Sequence, residues 1–79
     1  MLIRTHKHFH GIMPHLLRNH LPDTFTRHDV QKAGEAAGHD WDGAIYSGLT
    51  IALQRGSRKP NSGYRAEKVG RRWTFHKEK

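Results

Sequence analysis

The chain has 79 residues, of which 14 are Lys or Arg and 7 are Asp or Glu, giving a net charge of +7 at neutral pH. That length bounds it to one small domain with a thin stability margin, and the lack of cysteine excludes a disulfide framework and thiolate metal sites. No apolar run approaches the roughly 20 residues of a membrane span, and the apolar stretch after Met1 is too short for a secretory signal, so a cytoplasmic chain with no membrane role is expected.

Charge is unevenly distributed. Residues 1–54 balance Arg4, Lys7, Arg18, Arg27 and Lys32 against Asp23, Asp29, Glu35, Asp40 and Asp42. Residues 55–79 carry Arg55, Arg58, Lys59, Arg65, Lys68, Arg71, Arg72, Lys77 and Lys79 against only Glu67 and Glu78. A neutral body with a cationic end suits an anionic partner, most often nucleic acid.

Phe9, Ile12, Met13, Leu16 and Leu17 recur at the spacing of one helical face, which predicts a helix over about 9–20. Pro14 leaves its start open: near Gly11, or near Thr5 with a bend at Pro14. Pro22 ends it. Thr24–Thr26 is β-favouring and predicts a short strand or connector, able to pair with a later hairpin. Thr26 and Asp29 have the spacing of a helix N-terminus, and Val30, Ala33, Ala36 and Ala37 give a second helix an inner face over about 27–37. Gly38 is its expected C-cap. A third helix is predicted over about 41–55, capped by Asp40, with Trp41, Ala44, Ile45, Leu49, Ala52 and Leu53 on one side. Arg55 and Gly56 close it.

After a basic loop at 57–63 the period changes to two. Residues 64–69 and 71–76 flank Gly70 and predict a hairpin over about 64–77. A turn centred on Val69-Gly70 would pair Lys68 with Arg71, Glu67 with Arg72, Ala66 with Trp73 and Tyr64 with Phe75. Tyr64, Ala66, Trp73 and Phe75 would then face the core, and Arg65, Glu67, Arg72 and Thr74 solvent.

The order helix, short strand, helix, helix, hairpin resembles a winged helix, an α+β fold of the helix-turn-helix type. The residues that carry the resemblance are Phe25-Thr26, Asp29-Val30, the Gly38 turn, Ile45, Leu49, Leu53 and Gly56, and the aromatic hairpin. It spans residues 9–77. The resemblance implies a third helix that enters a DNA major groove and a wing that contacts phosphates.

On that reading the third helix presents Asp42, Gly43, Tyr46, Ser47, Thr50 and Gln54 outward. Ser47 and Thr50 suit base edges, and Tyr46 suits a phosphate. The helix has no cation before Arg55 and opens with Asp40 and Asp42, so the wing is expected to supply most of the affinity. Its candidate phosphate contacts are Arg58, Lys59, Arg65, Lys68, Arg71 and Arg72.

The expected function is a DNA-binding regulator that contacts duplex DNA chiefly through its wing, acting as a homodimer where a specific site needs two readers. The alternative is a protein-binding winged helix, such as a phage- or plasmid-borne inhibitor docking on a host nucleic-acid-handling or defence complex. Fold analogy does not separate the two.

Other chemistry is not expected. His6, His8, His10, His15 and His20 crowd the first 20 residues, and His6 and His10 share a helical face. No Cys, Asp or Glu accompanies them, so they read as surface histidines and not as a metal site. His28-Asp29 reads as a helix start. No nucleophile–base constellation or phosphate loop stands out, so no catalytic residue and no cofactor are assigned.

Overall fold

A computed structural model describes residues 2–78. Met1 and Lys79, the latter one of the C-terminal cations, lie outside the described residues. In chain order the elements are β1 (Leu2–Ile3), α1 (His6–Asn19), β2 (Thr24–Phe25), α2 (Arg27–Ala36), β3 (Asp40–Trp41), α3 (Gly43–Ser47), α4 (Leu49–Ser57), β4 (Tyr64–Val69) and β5 (Arg72–Lys77). The fold is α+β, with helices followed by an antiparallel hairpin, the topology of a winged helix.

Helix α1 starts three residues earlier than the 9–20 span because Thr5 caps it: its hydroxyl accepts the His8 N–H at 3.2 Å. Pro14 lies in the interior, where its missing N–H leaves the His10 carbonyl without its usual helical donor. One face, from Phe9 to Leu17, is buried. Helix α2 opens as expected, with the Asp29 carboxylate accepting from the Thr26 N–H at 2.9 Å and the Thr26 hydroxyl at 3.3 Å. It ends at Ala36 with Ala37, not Gly38, as its C-cap; Gly38 follows with φ +86°, and the His39 N–H returns to the Gly34 carbonyl.

The continuous third helix over 41–55 is corrected. Asp40 and Trp41 form β3, which pairs in parallel with β1, Leu2 opposite Asp40 and Ile3 opposite Trp41. The helical stretch then begins after Asp42, whose carboxylate accepts the Ala44 N–H at 3.0 Å. It divides at Gly48, a residue of weak helix preference. Buried Ile3 anchors β1, and its carbonyl accepts the Asp42 N–H.

The hairpin exists, but its register is corrected. Val69 faces Arg72, Glu67 faces Thr74, Ala66 faces Phe75 and Tyr64 faces Lys77. The loop is Gly70-Arg71, with φ +63° at Gly70. A Val69-Gly70 loop would put the positive φ of a two-residue hairpin turn on a β-branched residue; moving the turn by one places it on glycine. Each partner therefore shifts by two, and the faces survive. Glu67 does not oppose Arg72; it lies 3.8 Å from Arg65 and 3.4 Å from His76.

Strand β5 is central in a three-stranded sheet ordered β2-β5-β4. Thr24 pairs with His76 and Phe25 with Phe75, the short strand meeting the hairpin as expected. The core lies between the inner face of this sheet and helices α1, α2 and α4. Phe9, Leu16, Phe25, Val30, Leu49, Leu53, Tyr64 and Phe75 are among its fully buried members, with Ile3 and Ala52. The Tyr64 hydroxyl donates to the Leu53 carbonyl at 2.9 Å, tying β4 to α4; burial raises its pKa far above the ordinary phenol value. Among the described residues no helix is long and apolar enough to cross a membrane.

Candidate nucleic-acid interface

The two-residue hairpin loop decides where the wing arginines stand. With Val69 and Arg72 as the closing pair, Arg71 sits in the loop and Arg72 opens β5. Strand β5 runs back against β2, and β2 leads directly into α2. This order brings the wing tip beside the start of α2. The result is an open cleft of about 360 Å³ lined by Thr26, Arg27 and His28 on one side and Arg71, Arg72, Trp73 and Phe75 on the other, with Thr50 of α4 closing it.

Three arginines from two distant segments thus line one concavity. Asp29, the acidic residue of that helix start, is half-buried and held by Thr26. The Arg27 guanidinium also lies over the Tyr46 ring, 5.4 Å from its centre, which links α2 to α3 beside the cleft. Trp73 is half-buried and packs on the core, so the hairpin aromatics are structural.

Of the sequence candidates, Arg71, Arg72 and Thr50 line the cleft, and Tyr46 stands next to it through Arg27. Ser47 is exposed on α3, with its hydroxyl donating to the Ala44 carbonyl at 3.3 Å. Arg65 lies on the outer sheet face beside Glu67, and Lys68 is exposed opposite Trp73. Arg58 and Lys59 are not part of the group. Arg58 is the C-cap of α4 at the base of the wing. Lys59 lines a separate hollow of about 150 Å³ with His10, Met13, Pro14 and Tyr64. A six-residue strand, about 20 Å long, separates that loop from the wing tip.

Sequence reasoning missed Arg27 and His28, which were counted with the neutral body and a helix start. The signal was present in the expected pairing of the 24–26 segment with the hairpin, since the residues that follow a strand beside the wing must lie near its tip. The acidic start of the third helix also changes meaning. Asp42 is a helix cap, and Asp40 belongs to a strand.

Among the described residues there is no group of three or more His, Cys, Asp or Glu placed to hold a metal ion. The His6 and His10 rings are 6.3 Å apart on the same face. His10 has a pKa below the ordinary histidine value, first because it is partly buried and then because Lys59 and His6 oppose a further positive charge. Comparison of the chain with protein-family models, with curated proteins and with solved structures finds no match.

Proposed function

We propose that this protein binds nucleic acid, as a winged-helix module that grips the phosphate backbone of duplex DNA in the cleft between its wing and the start of α2. The observation that carries the reading is the convergence of Arg27, Arg71 and Arg72 on one open cleft. Guanidinium groups recognise phosphate with paired N–H donors. Thr50 adds a residue with a hydroxyl to the same lining, and α3 exposes the small, uncharged residues Gly43, Ala44 and Ser47. Such a surface approaches a groove closely without adding charge, which favours backbone binding over base reading.

A protein partner is the second reading. Ile51 is half exposed on α4, in the segment a winged helix turns towards its ligand. An apolar side chain there suits a protein surface as well as a thymine methyl group.

Fluorescence anisotropy on random-sequence duplex DNA at about 50 and about 200 mM salt separates the two. Micromolar affinity that falls steeply with salt is expected. Alanine at Arg27, Arg71 or Arg72 should weaken binding to every sequence and flatten the salt slope by about one unit each. Alanine at Arg58 and Lys59 should do less. No binding at the lower salt would overturn the nucleic-acid reading and leave the protein partner, with Ile51→Ala and Tyr46→Ala as the informative variants.

A further inference from the structure

Strand β4 is an outer strand of the three-stranded sheet. Gly63 accepts a hydrogen bond from the Glu78 N–H, so in this segment the odd-numbered backbone groups face β5. The alternation of an antiparallel ladder then turns Tyr64, Ala66 and Lys68 outward. The Tyr64 carbonyl is occupied by the Ser62 hydroxyl at 2.8 Å. The outward N–H and carbonyl groups of Ala66 and Lys68 have no hydrogen-bond partner among the described residues. An unpaired edge of this kind is a template for another strand.

We infer that a second copy of this chain pairs on this edge, β4 against β4 in antiparallel fashion, with the two-fold axis at Ala66. The side chains select that register. Centred on Ala66, each Arg65 faces the other copy's Glu67, and the free Ala66 groups meet in a hydrogen-bonded pair. Centring on Arg65, Glu67 or Lys68 sets two like charges directly opposite, which is destabilising. Centring on Tyr64 requires the carbonyl that Ser62 holds. The Ala66 register therefore joins free backbone groups and complementary charge in one isologous contact. Within one chain Arg65 and Glu67 are 3.8 Å apart, so the pairing builds a four-charge array of alternating sign. The tips of the two wings would lie about 27 Å apart, at ~3.4 Å per residue, pointing in opposite directions.

The contact is independent of what the cleft binds. Sedimentation velocity across a concentration series, at about 0.15 M salt where the Debye length is ~8 Å, tests it directly. Wild-type protein is expected to move from monomer towards twice the monomer mass as concentration rises to the millimolar range. Glu67→Arg should remain monomeric, because each Arg65 then meets an arginine. The swapped pair Arg65→Glu with Glu67→Arg restores complementarity and should restore the dimer. Ala66→Pro removes an outward N–H that the fold does not use. It should abolish association while far-ultraviolet circular dichroism remains native. A monomer at every concentration, or a dimer indifferent to Glu67→Arg and to Ala66→Pro, overturns the inference.

Discussion

The Arg27 guanidinium stands 5.4 Å over the centre of the Tyr46 ring, although the two residues belong to different helices. The contact rests one cation of the cleft against an aromatic ring of the neighbouring helix. Tyr46→Phe keeps the ring and should leave DNA affinity unchanged. Tyr46→Leu loses the ring's electron-rich face, and affinity should fall two- to fivefold, the equivalent of about 0.5–1 kcal/mol. Anisotropy titration of the two variants side by side reads the difference.

Gly56 of α4 lies under the Tyr64 hydroxyl, and a side chain there would strike the oxygen. Gly56→Ala should therefore destabilise the protein by roughly 1–3 kcal/mol, against the helix preference for alanine. Tyr64→Phe removes one buried hydrogen bond to Leu53 and should cost about 1 kcal/mol. Combined, the two changes should cost less than their sum, because the atom that obstructs the new methyl group is gone. Urea denaturation of the two single variants and the double variant completes the cycle.

Gly34 meets the Trp41 ring in the same way. An added methyl group would come within 2.5 Å of Trp41 Cζ2. Trp41 also donates from Nε1 to the Gln31 carbonyl at 3.3 Å, so the ring has little freedom to retreat. Gly34→Ala should lower stability by about 1–3 kcal/mol and shift the tryptophan emission. An unchanged midpoint and spectrum would refute this packing.

His10 makes stability depend on pH. Its folded pKa lies below the ordinary 6.5 because burial, Lys59 and His6 all disfavour the imidazolium form. The unfolded chain then binds this proton more readily than the folded one, so stability rises with pH. The contribution is intact above 6.5, declines as pH falls below that value, and levels off once pH has dropped through the depressed folded pKa. His10→Asn should remove this component from the difference in melting temperature between about pH 7.5 and about pH 5. Lys59→Met should reduce it without abolishing it.

Gly70 sets the wing tip. Its φ of +63° costs a residue with a Cβ roughly 1–2 kcal/mol. Gly70→Val should loosen the hairpin and weaken DNA binding, whereas Gly70→Asn should be milder because asparagine tolerates that conformation. Amide exchange of β4 and β5, measured with binding, tests whether the two losses move together.

Most of the architecture could be read from the chain because helices and hairpins advertise themselves by period. The faces of β4 and β5 followed from alternation alone, and a two-residue shift of partners leaves them intact. The register did not follow, because the opposite charges of Glu67 and Arg72 favour a pairing that would put the positive φ of the turn on Val69. Strands β1 and β3 were invisible, since two-residue strands have no period to detect. The break at Gly48 is hidden in the sequence because Ile45, Leu49 and Leu53 keep helical spacing across it. The cleft was half legible. Arg71 and Arg72 stood out in a cationic segment, but Arg27 acquires its place only through the pairing of β2 with β5.

That pairing joins positions 52 residues apart, Thr24 and His76, whose side chains meet at 3.2 Å. Helices α1, α2 and α4 form from local contacts, whereas this closure must overcome the entropy of a long loop. During synthesis the cationic cleft therefore has only one wall until Phe75 and His76 reach β2. A nascent chain that already carries its helices still lacks the second wall of its cleft, and on the proposed reading the wing's docking is the step that completes the phosphate grip.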